Sequence, residues 1–229
     1  MRDTIAKMED TVETAWPLFG LRLRLQEIEL RPVTERDAVE LAAIVEAGIV
    51  APGDERFIPR LLLGRAESRA ERMQAFLQYH WRCRAELSPE RWELPFSVFV
   101  NGELVGNQSA QAESFSMLRN VHTGSFLARS AQGRGIGTRM RAMVVEWAFK
   151  YLEAESMSSG YHEANHASAR VSARLGYQPD SCAYHDTHGV RWCELGVRLP
   201  RSAWPAHRPG WLDELHVTGF EECREMLGG

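Results

Sequence analysis

The order of apolar and polar positions divides the chain into elements before any single residue is interpreted. Leu21 to Arg31 (LRLRLQEIELR) alternates apolar with charged positions, the period of two that predicts one half-buried strand. Thr34 then stands where a side-chain oxygen can cap a helix from Glu35 to about Gly48, with acidic residues in its first turn and glycine as its stop. Residues 51–64, rich in proline and glycine, predict a loop. Residues 65–87 predict a second helix whose stripe is Met73, Phe76, Leu77, Trp81 and Ala85. From Pro95 two apolar runs meet at Asn101-Gly102, the pair that predicts a tight hairpin. A strand over Asn120–Arg129 and a glycine-rich turn follow. Met140, Val144, Trp147 and Tyr151 then mark a helix from about Thr138 to Leu152. The pattern continues as a strand over Ser156–Glu163, a short helix over Ala167–Leu175 ended by Gly176, and two strands near 181–187 and 190–199. Helices, a hairpin and then β-turn-helix-β-helix-β-β describe a mixed α/β domain with local antiparallel pairing.

Composition narrows the class of protein. The chain has 229 residues, 44% apolar and 25% charged, a balance that suits one soluble domain with a real core. No apolar run is long enough to span a bilayer, so no membrane partner is expected, and the acidic first residues lack the apolar core of a secretory signal. Cys83, Cys182, Cys193 and Cys223 share no metal-ligand spacing. The expectation is therefore no metal site, four free buried thiols and a cytoplasmic location. A formal charge of −4 argues against a large nucleic-acid footprint, although Arg129, Arg134, Arg139 and Arg141 could form a local basic patch.

The candidate chemistry sits in Gln132-Gly133-Arg134-Gly135-Ile136-Gly137-Thr138, between a strand and an amphipathic helix. Glycines let the backbone turn tightly, and the open amides at the start of the next helix suit a phosphate or pyrophosphate. No GKT or GKS follows, which excludes a Walker A loop, and the position in the chain does not suit a dinucleotide fingerprint. The plainer alternative is a helix-entry loop without a ligand.

The Q-x-x-G-x-G pattern resembles the first motif of the GCN5-related N-acetyltransferase (GNAT) superfamily. About thirty residues on, Asn165-x-x-Ser168-x-x-Val171-Ser172-x-x-x-Gly176-Tyr177 resembles its second. With the phrase LRPVTERD, the likeness spans roughly residues 22–200, and the fuller wording is most similar to the RimJ/RimL-type branch. The resemblance implies a mostly antiparallel central sheet flanked by helices, a splayed strand and a pyrophosphate loop. Residues 1–20 would then form an arm or helix, 21–200 the acyltransferase domain and 201–229 an extension packed on it. It also implies an acyl-CoA co-substrate, acetyl most commonly and succinyl as an alternative, an amine acceptor on a small molecule or peptide N-terminus, and a homodimer.

Residue roles follow from the same likeness. Phe126, Leu127 and Ala128 would pair with the pantetheine arm, and the amides from Gly133 through Thr138 would hold the pyrophosphate, with Arg134 or Arg139 reaching a phosphate. Asn165 would bond the pantetheine, or cap the following helix. Ser172 would act on the departing sulfur as an acid or a thiolate stabiliser, or else simply pack its helix on the sheet. For the general base, Glu163, His80 and His122 stand as candidates, and an α-amino acceptor, partly neutral near pH 7, needs less help than a lysine-like amine. Trp204, Trp211 and Phe220 could shape the acceptor cavity, a dimer contact or the core. Two other functions keep the same fold: an enzyme that uses or modifies aminoacyl-tRNA, and a non-catalytic acyl-CoA-binding domain.

Overall fold

Hydrophobic alternation is realised in a nine-stranded sheet of order β7-β8-β6-β5-β4-β3-β2-β1-β9, seen in a computed structural model that describes residues 11–50, 68–187 and 190–229. The strands are β1 (Arg22–Leu25), β2 (Ile28–Pro32), β3 (Trp92–Val100), β4 (Glu103–Ala112), β5 (Asn120–Leu127), β6 (Ser156–His162), β7 (Gln178–Thr187), β8 (Val190–Pro200) and β9 (His216–Thr218). All neighbours run antiparallel except β5 and β6. Among the described residues the four longer helices are α1 (Glu35–Ala47), α2 (Arg69–Ala85), α3 (Ile136–Lys150) and α4 (His166–Arg174). The loop expected over 51–64 lies outside the described residues.

The expected single strand over Leu21–Arg31 is a hairpin. Gln26 takes a left-handed φ of 52°, and the chain folds back so that Leu23 faces Leu30 and Leu25 faces Ile28. Both arms keep the same alternation, so the period of two survives the turn that divides it. The Asn101-Gly102 turn forms as expected, with φ of 51° and 81° suited to a two-residue hairpin. Capping boxes at Thr34 and Ser68 open α1 and α2.

The stripe expected on α2 is displaced. Phe76, His80 and Cys83 are its buried positions, whereas Trp81 is 50% exposed and Ala85 faces solvent. Trp81 instead spends its indole N–H on Glu35 Oε1 at 3.3 Å, and His80 packs edge-on against Tyr79.

Successive strand side chains point to opposite faces, and each face has its own core. One holds α3 with the inward residues of β1 to β6, centred on Trp147, which meets Trp92, Phe96 and Phe220 edge-to-face. The other packs α1 and α2 around Leu41, Val45 and Phe76, with Phe126 against it. Residues 201–229 enter the first core. Trp204, Leu212, Phe220 and Leu227 are buried, Trp211 packs against them, and β9 pairs with β1. The tail aromatics are therefore core residues. The four cysteines do not behave alike: Cys83 and Cys223 are free and buried, but Cys182 and Cys193, with Cα atoms 6.1 Å apart across the β7–β8 hairpin, form a disulfide that corrects the expectation of four free thiols.

Asp37 ties α1 to the sheet. Its buried carboxylate accepts hydrogen bonds from Arg31 Nη2 at 3.0 Å, Ser97 Oγ at 3.0 Å and the Thr34 amide at 3.2 Å. Asp37→Ala leaves these donors without their acceptor, so it should lower unfolding free energy by about 3 kcal/mol in urea titrations; a loss under about 1 kcal/mol would contradict this role.

Candidate active site

Strands β5 and β6 share four residue pairs, Asn120↔Ser156 through Thr123↔Ser159, and then separate although both continue. Strand β5 stays paired with β4 as far as Leu127↔Gly106, and β6 stays paired with β8 as far as His162↔Glu194. The sheet therefore opens between Gly124–Leu127 and Gly160–His162. On β5 the carbonyl of Thr123 accepts from Ser159 on the β6 side, while that of Gly124 accepts from Gln108 and Ser109 on the β4 side. Alternation then turns the N–H and C=O groups of Ser125 and the N–H of Leu127 toward the opening. This is the splayed strand expected from the sequence.

At the end of β5 the chain makes one 3-10 turn and enters the glycine loop. Gly133 and Gly135 have φ of 73° and 79°, which L side chains rarely adopt, and no atom lies where a Cβ would stand on either. No side chain caps α3, and the amides from Gly133 through Thr138 donate to no acceptor among the described residues. These donors and the positive end of the α3 dipole fit a diphosphate. Ile136 is buried beneath them and anchors the first turn. Gln132 is a brace: its Nε2 donates to Ile49 O at 2.6 Å and Leu127 O at 2.9 Å, joining the loop to the end of α1. Of the two candidate arginines, Arg139 is held by Glu27 and Gln26, whereas Arg134 is exposed and makes no hydrogen bond or ion pair among the described residues.

Asn165 caps α4, its Oδ1 accepting from the Ser168 amide at 3.1 Å. Ser172, two turns on, is 1% exposed, and its Oγ accepts from Arg141 Nη1 at 3.0 Å. Arg141 is thus removed from the surface patch expected of it, leaving Arg129 and Arg134 as the exposed members of that group. The sequence reading missed this contact. Its signal was an arginine inside a run, Met140–Phe149, in which every residue is buried.

The structure separates the candidate bases. Glu163 is exposed and closes the end of β6, its Oε1 accepting the Cys193 amide at 3.1 Å. His80 is buried beside Phe76 and Tyr79 on α2, where burial pushes its imidazole down to about 4, and it lines a small cavity with Trp16, Leu18 and Val33 that reaches neither β5 nor β6. His122 lies on β5 immediately before the splay, with Nδ1 3.2 Å from Ser158 Oγ. Burial holds His122 below its ordinary range, nearby Glu194 opposing the shift and Arg141 adding to it. His122 and Ser158 line a cleft of about 370 Å³ with Gln111, Glu113 and Asn120. No cluster of metal-ligating side chains occurs among the described residues, and no helix among them is long and apolar enough to cross a membrane.

Comparison with known proteins agrees with this geometry. Residues 27–178 match the family described as Acetyltransferase (GNAT) domain. Among solved structures, Mycobacterium smegmatis RimJ in complex with CoA-disulfide superposes with a TM-score of 0.71 at 24% identity, covering 88% of this chain and 97% of that one. Ribosomal-protein-S5-alanine acetyltransferase from Vibrio fischeri gives 0.62 at 19% identity, covering 80% and 98%. The spermidine/spermine N-acetyltransferase SpeG from Vibrio cholerae gives 0.59 at 13% identity, covering 79% and 98%. A sheet opened beside an uncapped, glycine-led helix and a family match over most of the chain lead to one conclusion: the protein belongs to the GNAT family of N-acyltransferases.

Proposed function

We propose that the protein transfers an acetyl group directly from acetyl-CoA to a primary amine on a small molecule or a peptide N-terminus. The observation that carries this reading is the alignment of two unsatisfied backbone surfaces, the open edge of β5 and the amides from Gly133 through Thr138, along one path. The amides and Arg134 take the diphosphate of CoA, and the pantetheine runs along β5 toward Asn165 on the open-edge groups of Ser125 and Leu127. Of the other two residues expected to pair with it, Phe126 faces Asn107 of β4 and the Ala128 amide donates to Val105 O, so neither offers a free backbone group. The Ser125 and Leu127 amides on the open edge supply the donor for the thioester oxygen, where charge develops as the amine attacks. The acceptor enters from the opposite face through the cleft beside His122. Its amine must be neutral to attack, and His122, whose burial favours the neutral imidazole, takes the proton lost as the new C–N bond forms. Ser172 faces the sulfur. A serine alkoxide is a far stronger base than a thiolate, so Ser172 contributes a hydrogen bond to the departing sulfur and retains its proton. The cleft carries charges of both signs, Glu86, Glu93 and Glu113 against Arg82 and Arg91, with Arg91 paired to Glu86 and Glu113, so its walls do not select an acceptor by charge alone.

Thermal shifts with CoA, acetyl-CoA and succinyl-CoA test the reading. A ligand at a hundred times its dissociation constant adds about 2.7 kcal/mol, which raises the midpoint of a chain this size by roughly 5–10 °C. No shift with any of them removes the reading; a larger shift with succinyl-CoA replaces the donor. Ser172→Ala should lower kcat by about a hundredfold while CoA affinity stays within a few-fold, and a kcat close to wild type would remove its role at the sulfur. A base with a depressed pKa is deprotonated over a wider range of pH, so acyl transfer limited by His122 should rise with pH through a value below about 6.5 and level off by neutrality. That limb should disappear in His122→Gln, and its persistence there would assign it to another group.

A further inference from the structure

Two charged side chains lie inside the buried stretch of α3, and they are treated differently. Glu146 is matched: it accepts the Trp204 indole N–H at 2.8 Å and pairs with Arg208 at 3.1 Å. Arg141 is 4% exposed and has no carboxylate within ion-pair distance among the described residues. Its guanidinium meets neutral oxygens, Ser172 Oγ at 3.0 Å and Ser125 Oγ at a marginal 3.5 Å, and its buried Nε has no partner. Tyr177 lies close by, and its buried hydroxyl makes no well-formed hydrogen bond although Thr123 is adjacent. A buried cation with unspent donors is costly, and the cost falls when an anion arrives. One contact of this guanidinium is the hydroxyl assigned above to the sulfur, and the other belongs to the strand at the opening.

We propose that Arg141 is a positioning residue that acts through Ser172 to make the pocket a receptor for the CoA thiolate. This rests on the acyl-CoA reading above. In the reaction the amine nitrogen forms a bond to the acyl carbon, the carbon–sulfur bond breaks, and its electron pair stays on sulfur. By donating to Ser172 Oγ, Arg141 polarises the O–H that points at that sulfur, and its own charge offsets the new negative charge in a buried region. Burial draws the guanidinium below its ordinary value, as expected for a cation awaiting its anion.

The test needs no knowledge of the acceptor, because product CoA carries the same thiol. The thiol of bound CoA is titrated by thiolate ultraviolet absorbance, as a difference between protein with and without CoA. The groups facing Arg141 titrate outside the thiol's range: Tyr177 is pushed up to about 12 by burial, and His122 is drawn below its ordinary value. The free thiols of Cys83 and Cys223 are likewise pushed up to about 12 by burial. In the wild type the bound thiol should titrate at least about one unit below the thiol of free CoA measured in the same buffer, a tenfold gain in thiolate. Arg141→Met should abolish that gain while CoA still binds by calorimetry, and Arg141→Lys should retain part of it. A bound thiol that titrates at or above the free value, or identically in wild type and Arg141→Met, overturns the proposal. If Arg141→Met does not fold, Ser172→Ala interrupts the same link, and a thiol titrating there as in the wild type overturns it equally. Failure of the wild type to bind CoA at all overturns the acyl-CoA reading itself, and is read separately by calorimetry.

Discussion

Two parallel strands that share four residue pairs and then part impose the main condition on this molecule. Backbone groups inside a sheet need partners, and strands β5 and β6 abandon theirs in the interior of a nine-stranded sheet rather than at its margin. Both strands can diverge because each is held on its outer side, β5 by β4 and β6 by β8. Gly106 allows the first of these holds. A side chain there would collide with the backbone of Phe126 and Leu127, so β4 and β5 approach closely where β5 has lost its other neighbour. Gln132 then fastens the far end of β5 to α1, and the glycine loop emerges from a fixed point.

Helix α3 serves the scaffold and the site at once, and its charges record the division. Toward its C-terminal end Glu146 is satisfied by Trp204 and Arg208, which fixes the C-terminal segment on the main core. Toward its N-terminal end Arg141 is left with hydroxyl partners. Fully matched networks rigidify a protein, whereas a partly matched one stores electrostatic free energy that another charge can release. The same helix thus moves from structural matching to reserved capacity within two turns, and the reserved part lies nearest the opening.

Much of this arrangement was legible in the sequence, for definable reasons. The Asn101-Gly102 turn, the Thr34 cap and the glycine loop depend on local backbone preferences, which a sequence displays directly. The family likeness drew on the same local features, together with Asn165 and Ser172. What the sequence hid were tertiary choices. The alternation over Leu21–Arg31 is identical for one strand or two, because a hairpin preserves it. The buried face of α2 shifted because His80 and Cys83 found a core while Trp81 found Glu35. Arg141 read as a surface charge because its burial follows from residues on β5 and α4, and no spacing along the chain shows them together. The Cys182–Cys193 pairing depends likewise on a hairpin register that the sequence left open.

Strand β9 gives the fold a timetable. It supplies the outer neighbour of β1, with Arg22 beside Thr218 and Arg24 beside His216, while β1 and β2 form a local hairpin. During synthesis that hairpin emerges early, carrying an unpaired edge that almost the whole domain must follow before it is covered. Contacts of such long sequence separation form slowly, and a waiting strand edge invites pairing with other chains. Within that hairpin Arg22 and Arg24, alternating with the buried leucines of β1, pair with Glu29 of β2, so the local fold settles its own charges before β9 arrives to cover the edge.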